Sequence, residues 1–412
     1  MIKLILRFLR ISTKILLLLL VLFIFVAVIQ YITCPVYEFK EASPFAGNRI
    51  YNPYAALDNT HWRKANFQVQ SYAWKGITAG RKNTNEKIFE VYKSLGYDII
   101  ATSDYQKINK YRCEDPSYLP VYEHGYGIKK NHQVLIGAES ILWRDYPFFQ
   151  TIHNKQHILN LLRKDKNELI YIAHPKLRNA YVTADMRYLA NYDGIEVLNN
   201  LVNSFEHWDA ALSSGNYITI IGNDDAHDVS NPKEIGYHFT FVNSPTTHRS
   251  DIIEALKKGN AFGTRIFRQY GKTFEEKRSR IKDIPVLKKA QVYNDTLNIS
   301  VNTKAKEIRF IGQGGELKEA TTNTNEAYYL IMPEDTYIRV EIEFPDQTIF
   351  YLNPVCRYDG INVKKADVPE INMYKTVLLR IFGFATLIFL FINHIYYIQK
   401  RLRRTSTHQK HA

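Results

Sequence analysis

Three cysteines, Cys34, Cys113 and Cys356, are all the thiols this sequence offers. No pair of them stands at zinc-finger spacing, which excludes a cysteine-built zinc module. One disulfide at most can form. Cys113 with Cys356 is the candidate pair in an oxidising compartment, and free thiols are the alternative. Acid is missing from both ends. Residues 1–34 hold four Lys/Arg and residues 371–412 hold seven, without a single Asp or Glu. The tails thus carry eleven of the 54 basic residues, and the other 43 face all 41 acids. The net charge of +13 is therefore a tail property. That excludes a nucleic-acid partner, which needs clustered charge on the folded part. Internal repeats and low-complexity tracts are absent too.

What the ends do have is long apolar runs. Residues 15–32 are free of charge, and 376–398 form a second run interrupted by Arg380. Each is long enough to be a transmembrane helix. Val28-Ile29-Gln30-Tyr31 lacks the small residues of a cleavage site, so the first run reads as an uncleaved anchor. Thr33 before Cys34 is a poor fit to a lipoprotein signal. The basic tails, 1–14 and 399–412, predict two passes with both termini cytoplasmic and residues 35–370 extracytoplasmic. The expected partners are the lipid bilayer and an envelope protein complex.

After a linker, 33–61, strand and helix signals alternate over 62–270. Residues 84–95 are amphipathic and end at Gly96; 155–166, 183–191, 204–214 and 250–258 also read as helices. Between them lie apolar strands at 98–104, 133–139, 169–175, 194–198 and 218–222. This alternation predicts an α/β fold with a mostly parallel sheet, open or closed into a barrel. Over 285–358 the pattern changes to short strands and turns, predicting a β appendage.

Several strands end in a carboxylate or histidine: Asp104, Glu139, His174, then Asp225 and His227. In β/α barrels such ends carry the chemistry. Carboxylate oxygens mixed with imidazole nitrogens suit zinc, manganese or iron. Taken singly, Asp104 reads as a loop cap, Glu139 as a partner for Arg144, Glu196 as structural and Asp224 as a turn residue.

In their order, these segments resemble the PHP family, named for polymerase and histidinol phosphatase domains. Asn66-Phe-Gln-Val-Gln70 stands where the family has His-x-His. Ala101-Thr-Ser-Asp-Tyr105 resembles its Thr-Asp-His motif, Ile136-Gly-Ala-Glu139 its Gly-x-Glu, and Asn223-Asp-Asp-Ala-His227 its Ser-Asp-Ala-His. Ala173-His-Pro175 and Gly194–Asn199 resemble two more, and residues 251–264 its last helix and strand. The appendage, ending Leu352-Asn-Pro-Val355, is similar to the branch that includes carbamate hydrolases. The resemblance implies a distorted seven-stranded (β/α) barrel holding up to three divalent metals and hydrolysing phosphoesters. It implies metal ligands at Glu139, His174, Asp225, His227 and Asp104. His153 is the nearest counterpart of a further family histidine, and His227 or His153 would shuttle protons. Gln68, Gln70 and Tyr105 replace three ligands. The set that remains holds one or two ions, or none. Two functions follow: a membrane-anchored, metal-dependent phosphoesterase acting on an envelope ester, or a pseudoenzyme serving as a binding or complex-forming module.

Overall fold

The computed structural model describes residues 2–409 apart from 79, 81, 166 and 268–271. Two compact units emerge. One comprises residues 1–39 with 369–412, and the other spans Lys40–Val368.

The first unit is built on two helices, Ile2–Thr33 and Met373–Gln409. Each contains a stretch long and apolar enough to cross a membrane, Leu4–Thr33 and Met373–Lys400. Their side chains are exposed along almost the whole apolar length, unlike those of a soluble core helix. They meet where Gly383 leaves room: a Cβ there would come within 2.7 Å of the Ile32 side chain. Arg380 donates to the Thr33 carbonyl at 3.0 Å. The two-residue strands Tyr37–Glu38 and Glu370–Ile371 pair just beyond the helices.

The second unit is a mixed α/β fold. Its first nine principal strands are β1 (Trp62–Asn66), β2 (Ile99–Ile100), β3 (Val121–His124), β4 (Gln133–Ile136), β5 (Leu169–Ile172), β6 (Gly194–Asn199), β7 (Thr219–Asn223), β8 (His238–Asn243) and β9 (Ala261–Arg265). Five more follow: β10 (Leu287–Tyr293), β11 (Thr296–Ile311), β12 (Leu317–Leu330), β13 (Tyr337–Glu343) and β14 (Ile349–Tyr358). One sheet runs β10-β11-β13-β14-β9-β8-β1-β2, with β12 beside β11 and the short strand Arg49–Tyr51 beside β14. The other runs β3-β4-β5-β6-β7.

Two expectations change here. Among the described residues the strands do not close into a continuous barrel. Side chains take the place of ladder bonds where β1 and β7 approach. The Phe67 N–H donates to Asn223 Oδ1 at 2.8 Å, and the Asp224 N–H donates to Asn66 Oδ1 at 3.0 Å. Among the described residues, the backbone bridges between the two sheets are the isolated pairs Val69 with Ala226 and Tyr105 with Glu123. Nor is the sheet mostly parallel: among the described residues only the β1/β2, β5/β6 and β6/β7 pairs are. The appendage strands extend the first sheet, because β9 pairs with β14.

Local chemistry sets the helices. Thr84 caps Asn85–Ser94 by accepting from the Lys87 N–H, and Ile88 and Tyr92 form its buried stripe. Thr151 and Asn154 close a capping box on Ile152–Lys164. Residues 183–191 give only a 3-10 turn, Thr183–Arg187. The core strands are buried on both faces: Ile170, Ile172, Ile195, Ile220 and Ile221 are all inaccessible to solvent. Cys34 and Cys356 are buried, Cys113 is exposed, and among the described residues none of the three forms a disulfide.

Candidate metal centre

Residue pattern and register bring three side chains together. Glu123 lies on β3, His132 just before β4, and His174 two residues past β5. In the β3–β4 hairpin Glu123 faces Val134, so His132, two residues from Val134, shares its face of the sheet. Strand β4 runs antiparallel to β5, with Gln133 opposite Ile172. The start of β4 therefore lies beside the end of β5, and the Ala173 N–H donates to the His132 carbonyl at 3.1 Å. Glu123, His132 and His174 each offer a ligand atom within 4.8 Å of the others, and all three are buried.

The Glu123 carboxylate sits between the two imidazoles. Its Oε1 contacts His132 Nδ1 and lies 3.4 Å from His174 Nε2, while Gln70 donates to its Oε2 at 2.8 Å. A pair of further carboxylates, Glu196 and Asp225, flanks the group. Glu196 accepts from the His174 N–H at 3.1 Å and from the Asn223 amide at 2.9 Å. The Asn199 amide joins Glu196 and Asp225, at 3.0 and 3.2 Å. His174 and Asp225 hold positive φ angles of 30° and 48°, conformations that cost energy for a residue with a Cβ.

These groups divide the charge. Burial works against ionising Glu123, but His132 and His174 more than offset it and hold its pKa well below the ordinary range. Burial likewise disfavours an imidazolium at His174. The Glu123 hydrogen bond and the Asp225 and Glu196 carboxylates outweigh that, raising its pKa to about 9. At His132 burial wins and the pKa falls. Burial, reinforced by Asp225, pushes Glu196 up to about 8. Burial and then repulsion from Glu123 bring Asp225 to about 6. At neutral pH Glu123 is thus anionic, His174 cationic, His132 and Glu196 largely neutral, and Asp225 largely anionic.

Of the residues expected at the site, His174 and Asp225 stand here. Glu139 does not: it is exposed, beyond the end of β4 opposite to His132, because β4 runs against the direction that a parallel sheet would give it. Glu123 supplies the carboxylate instead. Asp104 is buried, and its oxygens accept from the Ser71 N–H and hydroxyl at 2.7 and 2.6 Å, so it ties down the segment after β1 and not the loop after its own strand. Burial raises its pKa. His227 is half-buried with Nδ1 on the Asp225 carbonyl at 2.8 Å, outside the Glu–His–His group. His153 lies on the first turn of the helix Ile152–Lys164, also outside the group. Asp224 accepts from the Gly236, Tyr237 and His238 N–H groups, a long-range brace on the entry to β8 and not the local turn contact expected of it. Tyr105 stacks edge-on against His132 at 5.3 Å, and burial first, then Glu123, keeps its phenol neutral. Gln70 binds Glu123, so two of the three ligand-replacing residues touch the group.

Sequence reasoning missed Glu123 and His132, and read Glu196 as structural. The signal was available in the polar residues Glu123, His124, His132 and Gln133, which flank a glycine-bearing turn and end up fully buried.

The donor set fits a divalent ion. Glu123, His132 and His174 match the carboxylate and imidazole chemistry of zinc sites. In and beside the group, several buried atoms lack hydrogen-bond partners among the described residues: His132 Nε2, His174 Nδ1, Asp225 Oδ1 and Gln70 Oε1. Buried polar atoms normally have partners. Unpartnered polar atoms beside a carboxylate and two imidazoles are what an ion with its water would satisfy. Asn199 also lines a cleft of about 430 Å³, together with Asn200, Asn203, His238, Arg265 and Gln347. No acidic side chain lines that cleft among the described residues.

No family model matches the chain, and neither does any curated protein. One solved structure is similar: a two-domain protein containing a predicted PHP-like metal-dependent phosphoesterase, from Bacteroides vulgatus ATCC 8482. It aligns over 77% of this chain and 100% of its own, at 13% identity and a TM-score of 0.38.

Proposed function

We propose that this protein is a membrane-anchored hydrolase of PHP type that uses one divalent metal to cleave a phosphoester outside the cytoplasm. The observation that carries the reading is the convergence of Glu123, His132 and His174, all buried, with Asp225 Oδ1 and Gln70 Oε1, unpartnered among the described residues, beside them. Those three side chains would hold the ion. A bound divalent ion supplies Lewis acidity and lowers the pKa of water at the site.

The chain's own groups do the rest. Asp225, with a pKa near 6 and Oδ1 free of protein partners among the described residues, is suited to accept a proton from water. Asn199 orients it through its amide. His227, tied to the Asp225 carbonyl, would pass that proton outward. Arg265, in a cleft lined without acid, would pair with a phosphate oxygen of the substrate. The test is hydrolysis of a generic phosphodiester and phosphomonoester by the purified full chain. Activity that vanishes in Glu123→Gln and His174→Ala supports the reading. Activity unaffected by both sinks it.

A specific observation also favours the pseudoenzyme. Glu123 already has three internal partners, and glutamines stand at 68 and 70. In that case the wild-type chain holds no metal, and Gln68→His/Gln70→His gains metal without gaining hydrolysis.

A further inference from the structure

The segments 72–77, 126–130 and 143–149 expose a run of large apolar side chains. Ile77 is 88% exposed and Phe149 67%, and Trp74, Trp143, Tyr126 and Ile128 are exposed beside them. The patch is contiguous. The Trp74 and Trp143 rings meet edge-on at 6.0 Å. The Tyr126 hydroxyl donates to the Trp143 carbonyl at 3.2 Å, and the Ile128 N–H to the Pro147 carbonyl at 2.9 Å. It also borders the candidate metal centre: Trp74 Nε1 donates to the Tyr105 carbonyl at 2.8 Å, and the Tyr105 ring touches His132. Soluble surfaces seldom leave such a patch without use.

The charges around it are of one sign. The three segments carry Lys75, Lys129, Lys130 and Arg144 and only one acid, Asp145. Asp145 is buried and bound by the Tyr126 and Gly127 N–H groups. Lys129 Nζ lies 5.8 Å from the Phe149 ring centroid, so cation and apolar surface alternate at short range. Trp and Tyr with Lys and Arg beside exposed aliphatics is the composition of a surface that lies in a bilayer interface. A sugar would stack on the indoles but has no use for Ile77. Protein interfaces are depleted in lysine. The same chain carries two helices apolar enough to cross a membrane.

We propose that this rim binds the surface of an anionic bilayer. Its Trp and Ile side chains would enter the headgroup boundary, and Lys129 and Lys130 would pair with lipid phosphates. A substrate with a lipid headgroup could then reach the centre from the membrane side.

The four tryptophans make this measurable. They are Trp62, Trp74, Trp143 and Trp208, and none lies in either terminal helix. Quenching by acyl-brominated lipid in proteoliposomes of the full chain therefore reports on this unit alone. Carbonate-resistant flotation separately reports insertion of the terminal helices. In phosphatidylglycerol-containing liposomes, emission from two of the four tryptophans should be lost. Ile77→Ser/Phe149→Ser and Lys129→Glu/Lys130→Glu keep all four reporters and should abolish that loss. No quenching in the wild type, or quenching that both variants retain, overturns the proposal. So does a blue shift with maltoheptaose in the absence of lipid quenching, which would assign the rim to a glycan.

Discussion

Lys64 holds its ammonium 4.1 Å from the Tyr97 ring centroid and 4.4 Å from that of Phe239, and donates to the Leu95 carbonyl at 3.0 Å. Burial lowers its pKa from 10.5 to about 7, against the opposing pull of Asp224 and Asp98. The unfolded lysine binds a proton below 10.5, whereas the folded one does so only below about 7. The Lys64 contribution to stability therefore rises with pH across that window, while His174, raised from 6.5 to about 9, contributes a fall over its lower part. At about 1.4 kcal/mol per pKa unit the gain is a few kcal/mol. Lys64→Met should remove this rising component and leave stability falling more with pH than in the wild type, with a further rising part kept by Lys365, whose pKa burial also lowers. Denaturant unfolding of the 40–368 fragment at several pH values checks this. A slope unchanged in Lys64→Met contradicts it. At the same scale, His174 and Asp225 were legible in the sequence because each follows an apolar strand. Glu123 and His132 were not, because their pairing depends on a hairpin whose first strand is only four residues long.

Strands and helices were legible where apolar content was continuous. β5, β6 and β7 read directly, as did the helices Asn85–Ser94 and Arg249–Lys258. Strand direction and sheet closure were hidden. Nothing in residues 133–139 says that β4 runs antiparallel to β5, and that single reversal moves Glu139 out of the site and His132 into it. The gap between β1 and β7 was hidden for a similar reason: Asn66 and Asn223 look like ordinary strand-end amides until they are seen bonding across it. That arrangement gives a prediction. Asn223→Leu deprives the buried Phe67 N–H of its acceptor and Glu196 of a donor. It should cost ~1–3 kcal/mol in denaturant unfolding. Within β7, Ile220→Ala should cost ~2–5 kcal/mol, because its side chain is fully buried. Costs near zero for both would mean that the two sheets do not meet as described.

At the scale of the whole molecule, the acid-free tails and the two exposed apolar helices belong to one argument. It predicts both termini in the cytoplasm and the unit Lys40–Val368 outside. Glu275 is exposed on the short helix Phe274–Ser279. A Glu275→Cys label in a Cys113→Ser background should react with an impermeant thiol reagent in intact cells. Protection there, with reactivity at a C-terminal cysteine, would invert the topology. The account's central claim is the metal centre, and elemental analysis of the full chain, purified without chelator, tests it most directly. The account predicts one divalent ion per chain, lost in Glu123→Gln and in His174→Ala but kept in Glu139→Gln. A chain that binds no ion when metal is supplied in excess, or whose metal content follows Glu139 rather than Glu123, would contradict it.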